Sequence, residues 1–288
     1  MKPVVYFSRE ITPESVRKLF MLLNKELPGK TAIKVHSGEP GNQNFLKPEF
    51  WKDVVEAVDG TVVECNTAYE GGRDTTERHI KTLRQHGWSK LFPVDLLDAQ
   101  GPDLVLEIPE GKKIQKNYVG KDIVNYDSML VLSHFKGHPM GGFGGALKQL
   151  SIGVASGFGK KYIHGVGVTE NFWSSDHDSF LEAMADAASS VVRFFGENLA
   201  YINVMKNMSV DCDCCSVAED LCMGDIGVLA SLDPVAIDQA CLDLVYASED
   251  PGKGHLLERI ESRNGIHTVE AAAALGIGCR EYTLVTVE

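Results

Sequence analysis

Positive charge is scarce in this chain. Its 288 residues carry 28 lysines and arginines against 40 aspartates and glutamates, a formal net charge of -12. Neutralising nucleic-acid phosphates takes a basic face, so this balance argues against wide contact with nucleic acid, and equally against an anionic membrane surface. Long apolar runs are missing, and nothing approaches the roughly 20 residues of a membrane span. The opening Met1-Lys2-Pro3-Val4-Val5-Tyr6 lacks the apolar stretch and small-residue site of a secretory signal. There is no internal repeat and no low-complexity tract. Cysteines number seven, an odd count, and they crowd together, which does not suit a framework of long-range disulfides. The expected setting is the cytoplasm, with thiols reduced and available to a metal.

What is present is ordinary globular composition, 44% hydrophobic and 24% charged, with enough length for a sizeable core. Strand and helix patterns alternate. Residues 1–7 and 31–35 predict strands, as do 61–64, 91–94, 201–204 and 282–287. Residues 128–134 (SMLVLSH) form the clearest buried strand. Thr12-Pro13 and Asp233-Pro234 read as helix starts, with a capping side chain before a first-turn proline. The helix that starts at Thr12-Pro13 is expected to end by Pro28-Gly29, and further helices are expected over 48–58, 75–86 and 176–197. Residues 103–114 are strand-rich, and the glycines of 137–145 predict a loop. Together these imply an α/β fold, a mainly parallel sheet flanked by helices. The organisation is either one domain over 1–288 or two lobes, about 1–126 and 127–288, with a cleft between them.

The densest chemistry lies at Asp211-Cys212-Asp213-Cys214-Cys215, with Cys222 seven residues further on. Thiolates select zinc, copper(I) or iron–sulfur clusters, so Cys212, Cys214, Cys215 and Cys222 are the candidate metal ligands. The spacing matches no zinc ribbon or ferredoxin, and all four thiols meet one ion only if the chain turns after Cys214. Merely buried thiols, or a labile disulfide, are the alternative. Cys241 shares a helix face with Ile237, Leu244 and Val245 and reads as core.

Three other groupings bear on a ligand. Lys34 and His36 end a strand on the same face, where ligands of parallel sheets collect. Tyr69, Gly71, Gly72 and Arg73 form an anion-ready turn before a helix carrying His79 and His86. These two histidines, seven residues and about 10 Å apart along a helix, do not chelate one metal together. His86, in the last turn, reads equally as a cap. His134 and His138 flank a strand end, followed by Gly144, Gly145 and Lys148, where backbone N–H groups and a helix start can meet an anion. The spacing is not that of a Walker loop.

Taken in order, four motifs resemble a bacterial and archaeal domain family of unknown function whose members are often labelled iron–sulfur proteins. The first is Ala32-Ile33-Lys34-Val35-His36-Ser37-Gly38-Glu39-Pro40-Gly41-Asn42. The second is Thr67-Ala68-Tyr69 with Gly72-Arg73, His79 and His86-Gly87. The third is His134-Phe135-Lys136-Gly137-His138 with Gly145-Ala146-Leu147-Lys148. The last is residues 211–215 with 225–231 and 233–238. Members of that family commonly carry a ferredoxin-like insert with two Cys-x-x-Cys-x-x-Cys sets. Here the insert would fall between Lys161 and Ser175, which contains no cysteine. The resemblance further implies a fold shared with lactate racemase, an enzyme with a nickel cofactor.

Two functions remain open at this level. One is a metal-associated enzyme acting on a small anionic molecule, of racemase, isomerase or redox type. In it His134 or His138 acts as base or metal ligand, and Lys34, His36 and Lys148 belong to the catalytic set. Arg73, Tyr69, His79, Gly144 and Gly145 bind substrate. The other is a non-catalytic protein holding a metal ion or iron–sulfur cluster on its thiols. A homo-oligomer fits either.

Overall fold

The computed structural model describes residues 2–288; Met1, which the first-strand expectation included, lies outside them. One eight-stranded sheet runs through the molecule. In chain order its strands are β1 (Val4–Ser8), β2 (Thr31–Lys34), β3 (Thr61–Glu64) and β4 (Val94–Leu96), and two hairpins apart from it hold β5 (Leu104–Glu107) with β6 (Lys116–Val119), and β8 (Lys136–His138) with β9 (Gly142–Gly144). The sheet continues with β7 (Ser128–His134), β10 (Leu199–Met205), β11 (Gly227–Ser231) and β12 (Thr283–Thr286). The order across it is β12-β1-β11-β10-β7-β2-β3-β4. All neighbours pair in parallel except β11, which runs against both β1 and β10. Strands from 1–126 and from 127–288 interleave in this sheet.

All seven residues of β7 are buried, the signature of a strand covered on both faces. Met129 and Val131 enter one core and Leu130 and Leu132 the other, as a period of two requires. The first face is covered by α7 (His177–Phe195), α8 (Pro234–Ala247), α9 (Lys253–Ser262) and α10 (Ile266–Ala274). The second carries α1 (Pro13–Leu22), α2 (Lys52–Val58), α3 (Thr76–Gln85) and α4 (Trp88–Leu91). Caps set the entries: Thr12 accepts from Ser15 N, Asp176 from Ser179 N, and Asp233 from Val235 N and Ala236 N. Among the described residues no helix is long and apolar enough to cross a membrane.

Several local expectations are corrected. α1 stops at Leu22 rather than near Pro28. The strand placed at 91–94 begins at Val94, because residues up to Leu91 close a short helix. The strand-rich 103–114 supplies one arm of a hairpin outside the main sheet. Residues 137–145 are not all loop. Lys136 pairs with Gly144 and His138 with Gly142, and Gly137 N donates to Ser209 O at 2.8 Å. Ladder pairing overrides the weak strand preference of glycine here.

Candidate active site

A cavity of about 310 Å³ opens at the carboxyl ends of β2, β3 and β7, where an open parallel sheet collects its ligands. Lys34 closes β2, Glu64 closes β3 and His134 closes β7. Behind β9, α5 (Ala146–Lys148) starts on two backbone N–H groups, from Ala146 and Leu147, that the Asp238 carboxylate of α8 accepts at 2.8 and 2.9 Å. Asn203 of β10 donates to the same carboxylate at 2.7 Å. Burial nevertheless pushes Asp238 up to about 6. From Gln149 to Gly153 the helix widens into a π-turn, a form often met at functional sites. It brings Gln149 Oε1 within 3.0 Å of Lys34 Nζ.

Most residues singled out from sequence come to this wall: Lys34, His36, Tyr69, Arg73, His134, His138, Gly144, Gly145, Lys148 and Cys214. The buried cations are mostly matched. Lys34 pairs with Glu64 at 2.8 Å, and Arg73 with Glu39 at 2.9 Å and Glu64 at 3.4 Å. Glu64 also accepts Ser37 N and Oγ, and Glu39 accepts Gly72 N. Burial works against the Glu64 carboxylate, but Lys34 and Arg73 outweigh it and hold Glu64 well below the usual range. Asp213 faces Lys136 Nζ at 2.8 Å and His134 Nδ1 at 2.9 Å. The other nitrogen of His134 meets the Lys206 carbonyl at 2.5 Å. Both nitrogens of that ring are engaged by protein oxygens, so neither is free for a metal or substrate.

His138 is different. Its Nδ1 accepts from Met140 N at 3.1 Å and Gly141 N at 2.8 Å, so the ring's own proton sits on Nε2, which faces Cys214 Sγ at 3.8 Å. Burial first, then Lys148, lowers its pKa well below the free value, as burial and Arg73 do for His36. Both rings are neutral.

The structure leaves His79, Cys215 and Cys222 away from the wall. His79 is buried on α3 against Asn66 Oδ1 at 3.2 Å and Ser37 Oγ at 3.4 Å, behind Glu64 rather than in the cavity. Cys215 lies outside the cavity wall, its N–H closing a turn onto Cys212 O at 2.9 Å and its thiol hydrogen-bonded to that of Cys214, while Cys222 Sγ donates to Met208 O at 3.3 Å. His86 is a cap, its Nδ1 2.9 Å from Ser37 O and its ring stacked on Phe45. Cys241 is core. Among the described residues, donor atoms of His138, Cys212 and Cys214 lie within 4.8 Å of one another. The Cys212 thiol is pushed well up by its hydrogen bond to Cys214 and by burial, although Lys148 Nζ stands 3.6 Å from its sulfur.

Sequence reading passed over several members: Asp213 and Lys136, the counter-ions Glu39 and Glu64, and Lys160 and His164 of α6 (Gly157–His164). Asp213, Lys136 and Glu39 stood inside the four motifs without a role assigned, and Glu64, Lys160 and His164 had no signal.

No curated protein matches the chain. Solved structures that are similar at low identity include these two. The lactate racemase apoprotein from Thermoanaerobacterium thermosaccharolyticum aligns at 16% identity and TM-score 0.42, over 69% of this chain and 50% of its own. A protein from Thermotoga maritima aligns at 12% and TM-score 0.44, over 91% of this chain and 59% of its own. The chain therefore spans between half and three-fifths of the structures it matches. A family model matches residues 31–243, most of the sheet and every side chain of the cavity wall, and the chain belongs to that family, described as a domain of unknown function (DUF362).

Proposed function

We propose that the cavity binds a small anionic molecule and moves a proton on it, as a racemase or isomerase does. One observation carries this reading. In a chain of net charge -12, five cationic side chains line the cavity, and Lys148 and Lys160 have no carboxylate within ion-pair distance among the described residues. At an effective dielectric near 20, a unit charge 4 Å from an ammonium is attracted by about 4 kcal/mol, so a guest anion supplies the missing partner. His138 presents an N–H at Nε2 and serves the anion as a donor. Burial makes the neutral rings of His36 and His164 weak bases, and a guest anion beside them raises their basicity, so that one of them takes up the proton.

A second reading rests on the thiols, a metal ion or cluster held by Cys212 and Cys214 with His138 as third ligand. The two sulfurs fit a soft ion, whose thiolate bonds run to about 2.3 Å. The imidazole does not fit as it stands, because a ligand nitrogen must be unprotonated and Nδ1 of His138 is already committed to two backbone N–H groups. The fit is therefore to two thiols, and no chemical step is derived through a metal.

Calorimetry of the full chain with acetate and inorganic phosphate tests the first reading. Lys148→Ala with Lys160→Ala is expected to abolish binding; unchanged affinity in that double variant would sink it. Elemental analysis of protein purified without oxygen, repeated on Cys212→Ser with Cys214→Ser, tests the second: metal lost from the variant supports it, and metal retained removes the thiols from consideration.

A further inference from the structure

The cations occupy only part of the wall. The rest is apolar, from Pro139, Met140, Ile152 and Trp173. Met140 and Ile152 belong to a third hydrophobic cluster, built with Phe180 and Met184 and separate from the two cores of the sheet. Trp173 lies on a short 3-10 turn after α6 and is 48% exposed, whereas Trp51 and Trp88 are buried on the far face of the sheet. Beneath it, the neutral ring of His164 is sandwiched, 4.8 Å from Trp173 and stacked on Phe180 at 4.6 Å and 14°. Nδ1 of His164 is buried without a hydrogen-bond partner. A two- or three-carbon acid would use the lysines and leave this aromatic side empty, in a cavity already at the size of small-molecule sites.

Resting on the anion reading above, we infer that the substrate is an acid bearing a flat apolar group, an aromatic ring by preference, which lies against Trp173, Met140 and Ile152 while its anionic end meets Lys148 and Lys160. Ring–ring packing with an exposed tryptophan, added to the apolar area buried, is worth about tenfold or more in affinity.

The test uses four probes on the full chain: acetate, phenylacetate, methyl phosphate and phenyl phosphate. Calorimetry is expected to show each aryl member binding at least tenfold tighter than its partner. Of the three tryptophans only Trp173 is exposed at the mouth, so the aryl members alone should quench fluorescence. Trp173→Ala should erase the aryl advantage and the quenching while leaving acetate and methyl phosphate unchanged, and Trp173→Phe should restore most of the advantage. Aryl and non-aryl members binding equally would overturn this inference with the anion reading intact. Binding by none of the four would overturn both. An aryl advantage that persists in Trp173→Ala would overturn the placement of the ring.

Discussion

Lys136 Nζ and a carboxylate oxygen of Asp213 lie 2.8 Å apart, and both side chains are almost wholly buried. Burial opposes both charges, yet His134 and Lys136 hold the Asp213 carboxyl well below its usual range, and Asp213 with Cys212 keeps Lys136 above its own. Removing the carboxylate leaves an ammonium and an imidazole without an anion. Asp213→Asn is expected to destabilise by about 3–5 kcal/mol, read as a lower urea midpoint at unchanged slope. A loss under 1 kcal/mol would show the pair to be idle.

Lys148 behaves otherwise. Its ammonium touches Cys212 Sγ at 3.6 Å and no carboxylate, so little stability depends on it. Lys148→Ala should move the urea midpoint by less than the equivalent of about 1 kcal/mol while weakening phosphate binding at least tenfold. A variant that unfolds but binds normally would reverse the assignment.

Buried neutral histidines set the acid limit. Burial, ahead of all other causes, lowers His79 and His164 to about 3. Unfolding returns each to about 6.5, so between these values the unfolded chain holds the extra protons. Stability is then fully present above about 6.5 and is lost as pH falls toward 3, by about 1.4 kcal/mol per pH unit for each ring. Glu64 and Asp213, with depressed pKa values, add to the loss in acid below their unfolded values; Asp238, raised to about 6, acts in the opposite sense between 3.8 and 6. His79→Gln should flatten the slope between pH 6 and 4 by one ring's share. Equal slopes in urea titrations of the two proteins would contradict the neutral state assigned to His79.

Gly137 is where the β8 strand meets the cysteine segment. A Cβ there would stand 2.3 Å from Val210 O, a backbone atom with nowhere to go. Gly137→Ala is expected to cost about 1–3 kcal/mol, the range of overpacking, and to weaken anion binding by displacing His138 and Cys214 together. A variant with wild-type midpoint and affinity would mean that the two backbones are not held together as described.

Much of the sheet was legible because burial on both faces leaves plain marks, SMLVLSH at β7, and two helix entries were legible from the caps at Thr12 and Asp233. β11 escaped notice, since a five-residue apolar run cannot be told from a helix fragment by period alone. The hairpin of Lys136–His138 and Gly142–Gly144 escaped because its pairing partners are glycines. Strand-end position and residue type brought Lys34, His36, His134 and His138 to attention. The counter-ions did not announce themselves: Glu39 and Asp213 are ordinary carboxylates until folding encloses them, and charge in a sequence says nothing of burial. Cysteines drew the eye for their chemistry, yet spacing could not reveal that the Cys222 thiol would bond to the Met208 carbonyl instead.

Lys34 finds Gln149 across 115 positions, His134 finds Asp213 across 79, and Lys148 finds Cys212 across 64. No contiguous stretch of the polypeptide owns both members of these pairs within one helix or strand. The cavity wall is thus a property of the finished tertiary structure: a peptide excised from any single motif would lack one member of each pair, and a nascent chain still missing residue 213 would leave the Lys136 ammonium without its carboxylate.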